Sequence, residues 1–281
     1  MRQISFNQQD TSAIGLGTWR MGEGNAAKND EELKTIQYAL NNGVTLLDTA
    51  EIYGDGQSET LIGKAIKGFN RSDFQIISKF APNHATPKLM KKSLENSLKR
   101  LQTDYLDLYL LHWRGSTPLE ETIQGLQEVQ KAGYIKNWGV SNFDIADLEE
   151  LSKLPGGSDC RVNEDLYNVG SRGIEYSILP WQKENNMSLV GYSPFGSDGG
   201  DYLTIKPVLK DLAKQKNVSV YQLLLAWVIR NRDLLSIPKS SSVEHLKANM
   251  AATDIEFTAD ELELIDSQYP RPNKKTQLEV I

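Results

Sequence analysis

Short apolar runs alternate with amphipathic stretches along almost the whole chain, and the two patterns predict two kinds of element. Eight runs read as strands: residues 13–19 (AIGLGTW), 43–50 (GVTLLDTA), 74–80 (FQIISKF), 104–112 (DYLDLYLLH), 135–141 (IKNWGVS), 161–168 (RVNEDLYN), 189–195 (LVGYSPF) and 235–240 (LSIPKS). Between them, residues 30–42, 58–67, 87–102, 118–132, 144–154 and 179–186 repeat apolar side chains at helical spacing. Asp144 and Thr117-Pro118 supply start signals, and Gly43 and Gly133 supply stops. Ahead of the first run, residues 2–14 read as a hairpin. The seventh connection holds two helices, 206–215 and 219–231, and another helix, 259–268, follows the eighth unit. Alternation of this kind predicts a parallel sheet with crossover helices, and eight units predict a (β/α)8 TIM barrel with an N-terminal hairpin and two extra helices. A doubly wound dinucleotide fold competes, but its one glycine-turn candidate, Gly15-Leu16-Gly17, lacks the third glycine.

A length of 281 residues suits one barrel domain spanning 1–281. With 39% hydrophobic and 24% charged residues the composition is that of a folded globular chain. The net charge of −6, with lysine and arginine scattered, offers no basic field for a nucleic acid, so none is expected as a partner. Cys160 is the single cysteine and excludes an internal disulfide. The N-terminus lacks the apolar stretch of a signal peptide and no run approaches a membrane span. A cytoplasmic monomer with no membrane contact is therefore expected.

Candidate chemistry sits where the strand runs end. Asp48, Lys79 and His112 lie at such ends, 79 − 48 = 31 and 112 − 79 = 33 residues apart, close to one βα unit each. Tyr53 follows Asp48 by five positions. In a barrel all four converge on the rim where chemistry occurs. An ammonium beside a phenol favours the phenolate and lowers its pKa, while an aspartate would hold that ammonium charged. An imidazole can donate to a carbonyl oxygen, so the set suits protonation of an oxygen gaining negative charge. Taken singly, each residue has a plainer role: a cap, a wall, a solvated lysine, a structural histidine. Placement of all four at matching barrel positions favours the functional reading. A barrel lysine can also form a Schiff base, and that reading of Lys79 stays open, though pairing with Asp48 opposes it.

Six segments, LDTAEIYGDGQSE (47–59), ISKF (77–80), DYLDLYLLHW (104–113), GVSNF (139–143), GYSPF (191–195) and IPKS (237–240), resemble the successive signatures of the aldo-keto reductase family, in the family's order. The stretch SRGIEYSILPW (171–181) and the tail TQLEVI (276–281) are similar to a branch of small bacterial members that reduce dicarbonyls such as methylglyoxal, or keto-sugar acids. The resemblance implies reduction of aldehydes and ketones by NADPH bound without a Rossmann domain. It implies a catalytic tetrad of Asp48, Tyr53, Lys79 and His112, with Tyr53 the proton donor, Lys79 and Asp48 tuning it, and His112 orienting the carbonyl. A cofactor-binding regulatory subunit with little turnover is the rival within the same fold.

Further positions follow from the resemblance. Ser141 and Asn142 would hold the nicotinamide carboxamide and Tyr192 would stack on the ring. Gly17, Thr18, Trp19 and Asp48 would border the cofactor, and Ser193, Pro194, Phe195, Gly196 and Ser197 would line its pyrophosphate. The segment 197–202 (SDGGDY) has the composition of a mobile loop that closes over it. Lys239, Ser240, Ser241, His245 and Asn249 would hold the adenosine 2′-phosphate end, with Ser241 and Glu244 at capping-box spacing for the helix there. Trp19, Phe80 and Trp113, with Tyr53 and His112, would wall the substrate. The tail after Tyr269 is short, so an open mouth and a broad substrate range are expected. Three positions depart from the common pattern. His245 stands for the usual arginine, which loosens the NADPH preference and leaves NADH as an alternative. Glu164 stands for glutamine after Asn163, putting a carboxyl where a carboxamide partner is expected. Ala248 replaces an acidic residue. With only His84, His112 and His245 and no ligand-spaced cluster, no metal is expected.

Overall fold

The computed structural model describes residues 1–6, 9–197, 203–231 and 233–281. Strands β1 (Gln3–Phe6) and β2 (Gln9–Ser12) pair antiparallel as the N-terminal hairpin. Its Thr11 hydroxyl accepts from the Gln75 side chain, which places the hairpin beneath the barrel, where the strands begin. The repeat then runs β3 (Leu16–Gly17), α1 (Ala26–Asn41), β4 (Leu46–Asp48), α2 (Gln57–Ala65), β5 (Gln75–Phe80), α3 (Pro87–Leu101), β6 (Leu106–Leu111) and α4 (Leu119–Lys131). It continues with β7 (Ile135–Ser141), α5 (Ile145–Lys153), β8 (Val162–Leu166), α6 (Ile178–Glu184) and β9 (Ser188–Tyr192). The seventh connection carries α7 (Pro207–Gln215) and α8 (Val220–Val228), after which come β10 (Leu235–Ser236), α9 (Val243–Ala251) and α10 (Ala259–Gln268).

Strands β3 to β10 pair in chain order, all parallel. Gly15 N donates to Ser236 O at 2.8 Å and Ser236 N to Ala13 O at 3.1 Å, which brings the last strand against the first and closes the (β/α)8 barrel. Glycine is required at that seam, because a Cβ on Gly17 would lie 2.5 Å from the Ile237 carbonyl. Helix starts follow local chemistry: Asp144 and Asp147, Ser219 and Gln222, and Thr258 and Glu261 form capping boxes, and Pro87 opens α3.

One part of the scaffold has no local signature. Arg172, buried after β8, donates to Glu175 and to Asp266 of α10, each at 2.8 Å. Glu175 also accepts from Tyr167 Oη at 2.6 Å and from Arg230, whose guanidinium lies 3.7 Å over the Trp227 ring. This network ties α8 and α10 to the loop that follows β8. Among the described residues, no helix is long and apolar enough to cross a membrane.

Candidate active site

Asp48 ends β4, and Lys79 lies one residue before the end of β5. Alternation along β5 sets Lys79 on the same face as Ile77 and Gln75, toward the barrel axis. There Lys79 Nζ donates to Asp48 Oδ2 at 2.6 Å and to the Thr49 carbonyl at 3.1 Å. It lies 3.4 Å from Tyr53 Oη and 3.3 Å from Glu164 Oε1. Tyr53 arrives from the loop after β4, whose Thr49 and Glu51 amides donate to the Ile77 and Lys79 carbonyls. Gly54 and Gly56 turn that loop at φ values of 56° and 83°, open to glycine at little cost. His112 follows β6 with its ring edge-on to Tyr53, centroids 5.7 Å apart. The four residues lie together, Asp48, Tyr53 and His112 lining one cleft and Lys79 buried against Asp48 and Tyr53.

Electrostatics in the pocket depart from the simplest expectation. Burial disfavours the Lys79 ammonium, but Asp48 and Glu164 together outweigh it and hold its pKa above the ordinary value. Burial raises Asp48 despite Lys79, and raises Glu164 well above the usual carboxylate range, with Asp48 adding to the push. Burial also raises the Tyr53 phenol. Lys79 pulls it down as expected, but Asp48 and Glu164 push the other way and the net direction is upward. Tyr53 keeps part of its surface open to the cleft, so solvent moderates the push. His112 is driven down to about 3, by burial first and by Lys79 second, so its ring is neutral and free to donate one N–H.

A cleft of about 1050 Å³ opens above these residues. Tyr53, His112, Asp48 and Glu164 form its floor, with Ser141 and Asn142 beside them. Ser141 Oγ donates to the Glu164 carbonyl at 2.8 Å, and Asn142 Nδ2 to the His112 carbonyl at 3.1 Å. Tyr192 Oη donates to Asn142 Oδ1 at 2.8 Å. Asn142 and Ser193 adopt left-handed φ values of 58° and 50°, uncommon for non-glycine residues and often found at functional sites. From Tyr192 the cleft runs along Ser193, Pro194, Phe195, Gly196 and Ser197 to Lys239 and His245, with Gly17 on the facing side. Burial lowers the Lys239 pKa, and Lys28 and Arg20 lower it further against Glu32 and Glu23. Lys239, Lys28 and Arg20 thus bring three cations to this end of the cleft, with Glu32 and Glu23 among them. Trp19, Trp113 and Ile52 form the outer wall, 38%, 42% and 43% exposed, which leaves their apolar surface available to a small molecule.

Several expected positions lie elsewhere. Phe80 does not reach the cleft: with Lys79 turned inward, its neighbour on the strand turns outward, where it packs on Tyr109 at 4.8 Å. Thr18 is fully buried, donating to the Asp48 carbonyl and accepting from Ser58, so it braces two strand ends instead of facing the cleft. Ser240 and Asn249 are buried against each other, the amide donating to the hydroxyl at 2.8 Å. The cap of α9 is Ser242, which accepts from His245 N, and not Ser241. Ser241 is already engaged, donating to Glu32 and accepting from Lys239. Ile281 lines the mouth, so the tail reaches across it despite its length. Residues 198–202, named as a closing loop, lie outside the described residues. Arg20, Glu23 and Tyr221 also border the cleft. Arg20 follows Trp19 directly and was within reach of sequence reasoning. Tyr221, edge-on to Phe195 at 5.6 Å, gives no such signal. Among the described residues, no group of three or more His, Cys, Asp or Glu side chains is arranged to hold a metal.

Residues 13–270 match the model of the Aldo/keto reductase family. Methylglyoxal reductase YeaE of Escherichia coli (strain K12) is 42% identical over 271 residues, covering 96% of this chain and 95% of that protein. An aldo/keto reductase from Klebsiella pneumoniae, solved in complex with NADP and acetate, superposes with a TM-score of 0.94 at 42% identity, covering 99% of each chain. Another structure of an aldo-keto reductase from Klebsiella pneumoniae, in complex with NADPH, gives 0.94 at 41% identity over 100% of each chain.

Proposed function

The chain belongs to the aldo/keto reductase family, and from that premise we propose that it reduces small aldehydes and dicarbonyls with NADPH, Tyr53 protonating the carbonyl oxygen. One observation carries the reading. The Lys79 ammonium sits 2.6 Å from Asp48 and 3.4 Å from the Tyr53 hydroxyl at the floor of an aromatic-walled cleft. When bound, NADPH supplies the hydride. Ser141, Asn142 and Tyr192 would hold its nicotinamide, Ser193 to Ser197 its pyrophosphate, and Lys239 with His245 its 2′-phosphate. The donor set fits: hydroxyl and amide groups at one end of the cleft, cations at the other.

The chain's own residues then do three things. His112, neutral and beside Tyr53, donates a hydrogen bond that fixes the carbonyl oxygen. Tyr53 keeps its proton until that oxygen gains charge, then passes it from Oη, and Lys79 stabilises the phenolate left behind. Asp48 and Glu164 keep Lys79 charged and in place. The same pairing opposes a Schiff-base reading, because an ammonium held between two carboxyl groups is not a free amine.

The apolar outer wall of Trp19, Trp113 and Ile52 suits a small neutral dicarbonyl better than a keto-sugar acid with its several hydroxyl groups. Methylglyoxal, the substrate named for the Escherichia coli relative, is therefore the first candidate. Steady-state assays should give a higher kcat/KM for methylglyoxal than for keto-sugar acids. Failure of every aldehyde and dicarbonyl to oxidise NADPH would sink the reading. His245→Arg should tighten NADPH binding by about 3–10-fold, since a guanidinium engages a phosphate bidentately, and leave NADH unchanged. Equal gains for both cofactors in a fluorescence titration would mean that His245 does not face the 2′-phosphate.

A further inference from the structure

Glu164 is fixed on β8 with its backbone carbonyl held by Ser141 Oγ. Its Oε1 lies 3.3 Å from Lys79 Nζ, the same ammonium that Asp48 Oδ2 holds at 2.6 Å, so the two carboxyl groups flank one cation. The other oxygen, Oε2, is buried and has no partner among the described residues. The residue is 2% exposed, and what remains of its surface lines the cleft. A glutamine here would be neutral at every pH. The glutamate places a second acid beside Asp48, with one ammonium between them. Two such carboxyl groups cannot both ionise easily, so the pair carries a proton that it can give up.

We propose that Glu164 makes this cleft discriminate between the oxidised and reduced cofactor as a function of pH. The inference rests on the reading of the cleft as a nicotinamide site. The ring of NADP+ is cationic and that of NADPH is neutral. With the pair protonated, Lys79, Asp48 and Glu164 sum to zero charge. With the proton released they sum to −1 and attract the cationic ring across a low-dielectric floor. Binding of NADP+ is therefore linked to release of one proton from the Asp48–Glu164 pair, and binding of NADPH is not.

The other groups that face Glu164 do not supply this titration. Lys79, from β5, is held charged, and the tyrosines Tyr53, after β4, and Tyr192, from β9, are held protonated. His112, after β6, stays neutral. Ser141 and Asn142, from β7, do not ionise. The adenosine 2′-phosphate is common to both cofactor forms, so its contribution cancels in the ratio of the two affinities.

Dissociation constants for NADP+ and NADPH, measured by fluorescence titration from about pH 6 to about pH 9, test the proposal on wild type and Glu164→Gln. In wild type the preference for NADP+ should grow about tenfold over that range, and in Glu164→Gln it should stay flat within about twofold. Calorimetry of the wild type in two buffers of different ionisation enthalpy gives a check independent of any variant. Proton release with NADP+ and none with NADPH supports the assignment. A preference that is flat in wild type, or that rises equally in both proteins, overturns it while leaving the cofactor reading intact. Binding of neither form to wild type overturns the cofactor reading and this inference with it.

Discussion

Tyr53→Phe is expected to lower kcat for carbonyl reduction by about three orders of magnitude and to leave NADPH binding unchanged, the size expected when a general acid is removed. The substitution deletes one oxygen and little else. Lys79 keeps its bonds to Asp48 and the Thr49 carbonyl and its contact with Glu164, so the floor of the cleft stays charged as before. The ring still packs edge-on against His112. KM for the carbonyl should move only slightly if, as proposed, His112 rather than Tyr53 fixes the oxygen in the ground state. Single-turnover reduction in a stopped-flow instrument separates the chemical step from product release. A variant retaining more than about a tenth of the wild-type rate would mean that another group donates the proton. His112 is poorly suited to that role. With its pKa pushed down to about 3 it carries no proton to spare between acid and alkaline extremes, and it should contribute no limb to the pH profile near neutrality.

The strand runs and the one-unit spacing of Asp48, Lys79 and His112 were legible because parallel strands buried on both faces read as continuous apolar runs. Phe80 was misplaced for a reason the sequence does contain: successive side chains on a strand face opposite ways, and Lys79 and Phe80 cannot both point inward. Ser241 was misread as the cap of α9 because its partner Glu32 lies on α1, far away in the chain. The Arg172 network and the approach of Ile281 to the mouth depend on contacts of the same long-range kind. At Tyr53 the sequence supplied the sign of the Lys79 effect but not of the sum. Burial, and the closeness of the Glu164 carboxyl to Lys79 and Tyr53, appear only in the folded barrel.

Lys79→Met is the most damaging single change expected, and its damage depends on pH. Methionine nearly matches the volume of the lysine stem, so packing survives while the ammonium is lost. Asp48 Oδ2 and the Thr49 carbonyl then lose a buried donor, and Glu164 loses its counter-ion. Breaking a buried pair by removing one partner costs roughly 3–5 kcal/mol. Turnover should fall by about three orders of magnitude or more, since the phenolate of Tyr53 is no longer stabilised. The pH dependence follows from the two carboxyl groups. Burial already raises both above their unfolded values in the presence of Lys79, and without it they rise further. Groups shifted upward stabilise the fold below their unfolded pKa, and that contribution is lost as pH rises through the folded pKa. The stability gap between wild type and Lys79→Met should therefore be smallest near pH ~4, at the unfolded carboxyl values, and widen toward pH ~8. Urea unfolding at the two pH values measures the gap. A constant gap would show that Asp48 and Glu164 do not take up the charge that Lys79 leaves uncompensated.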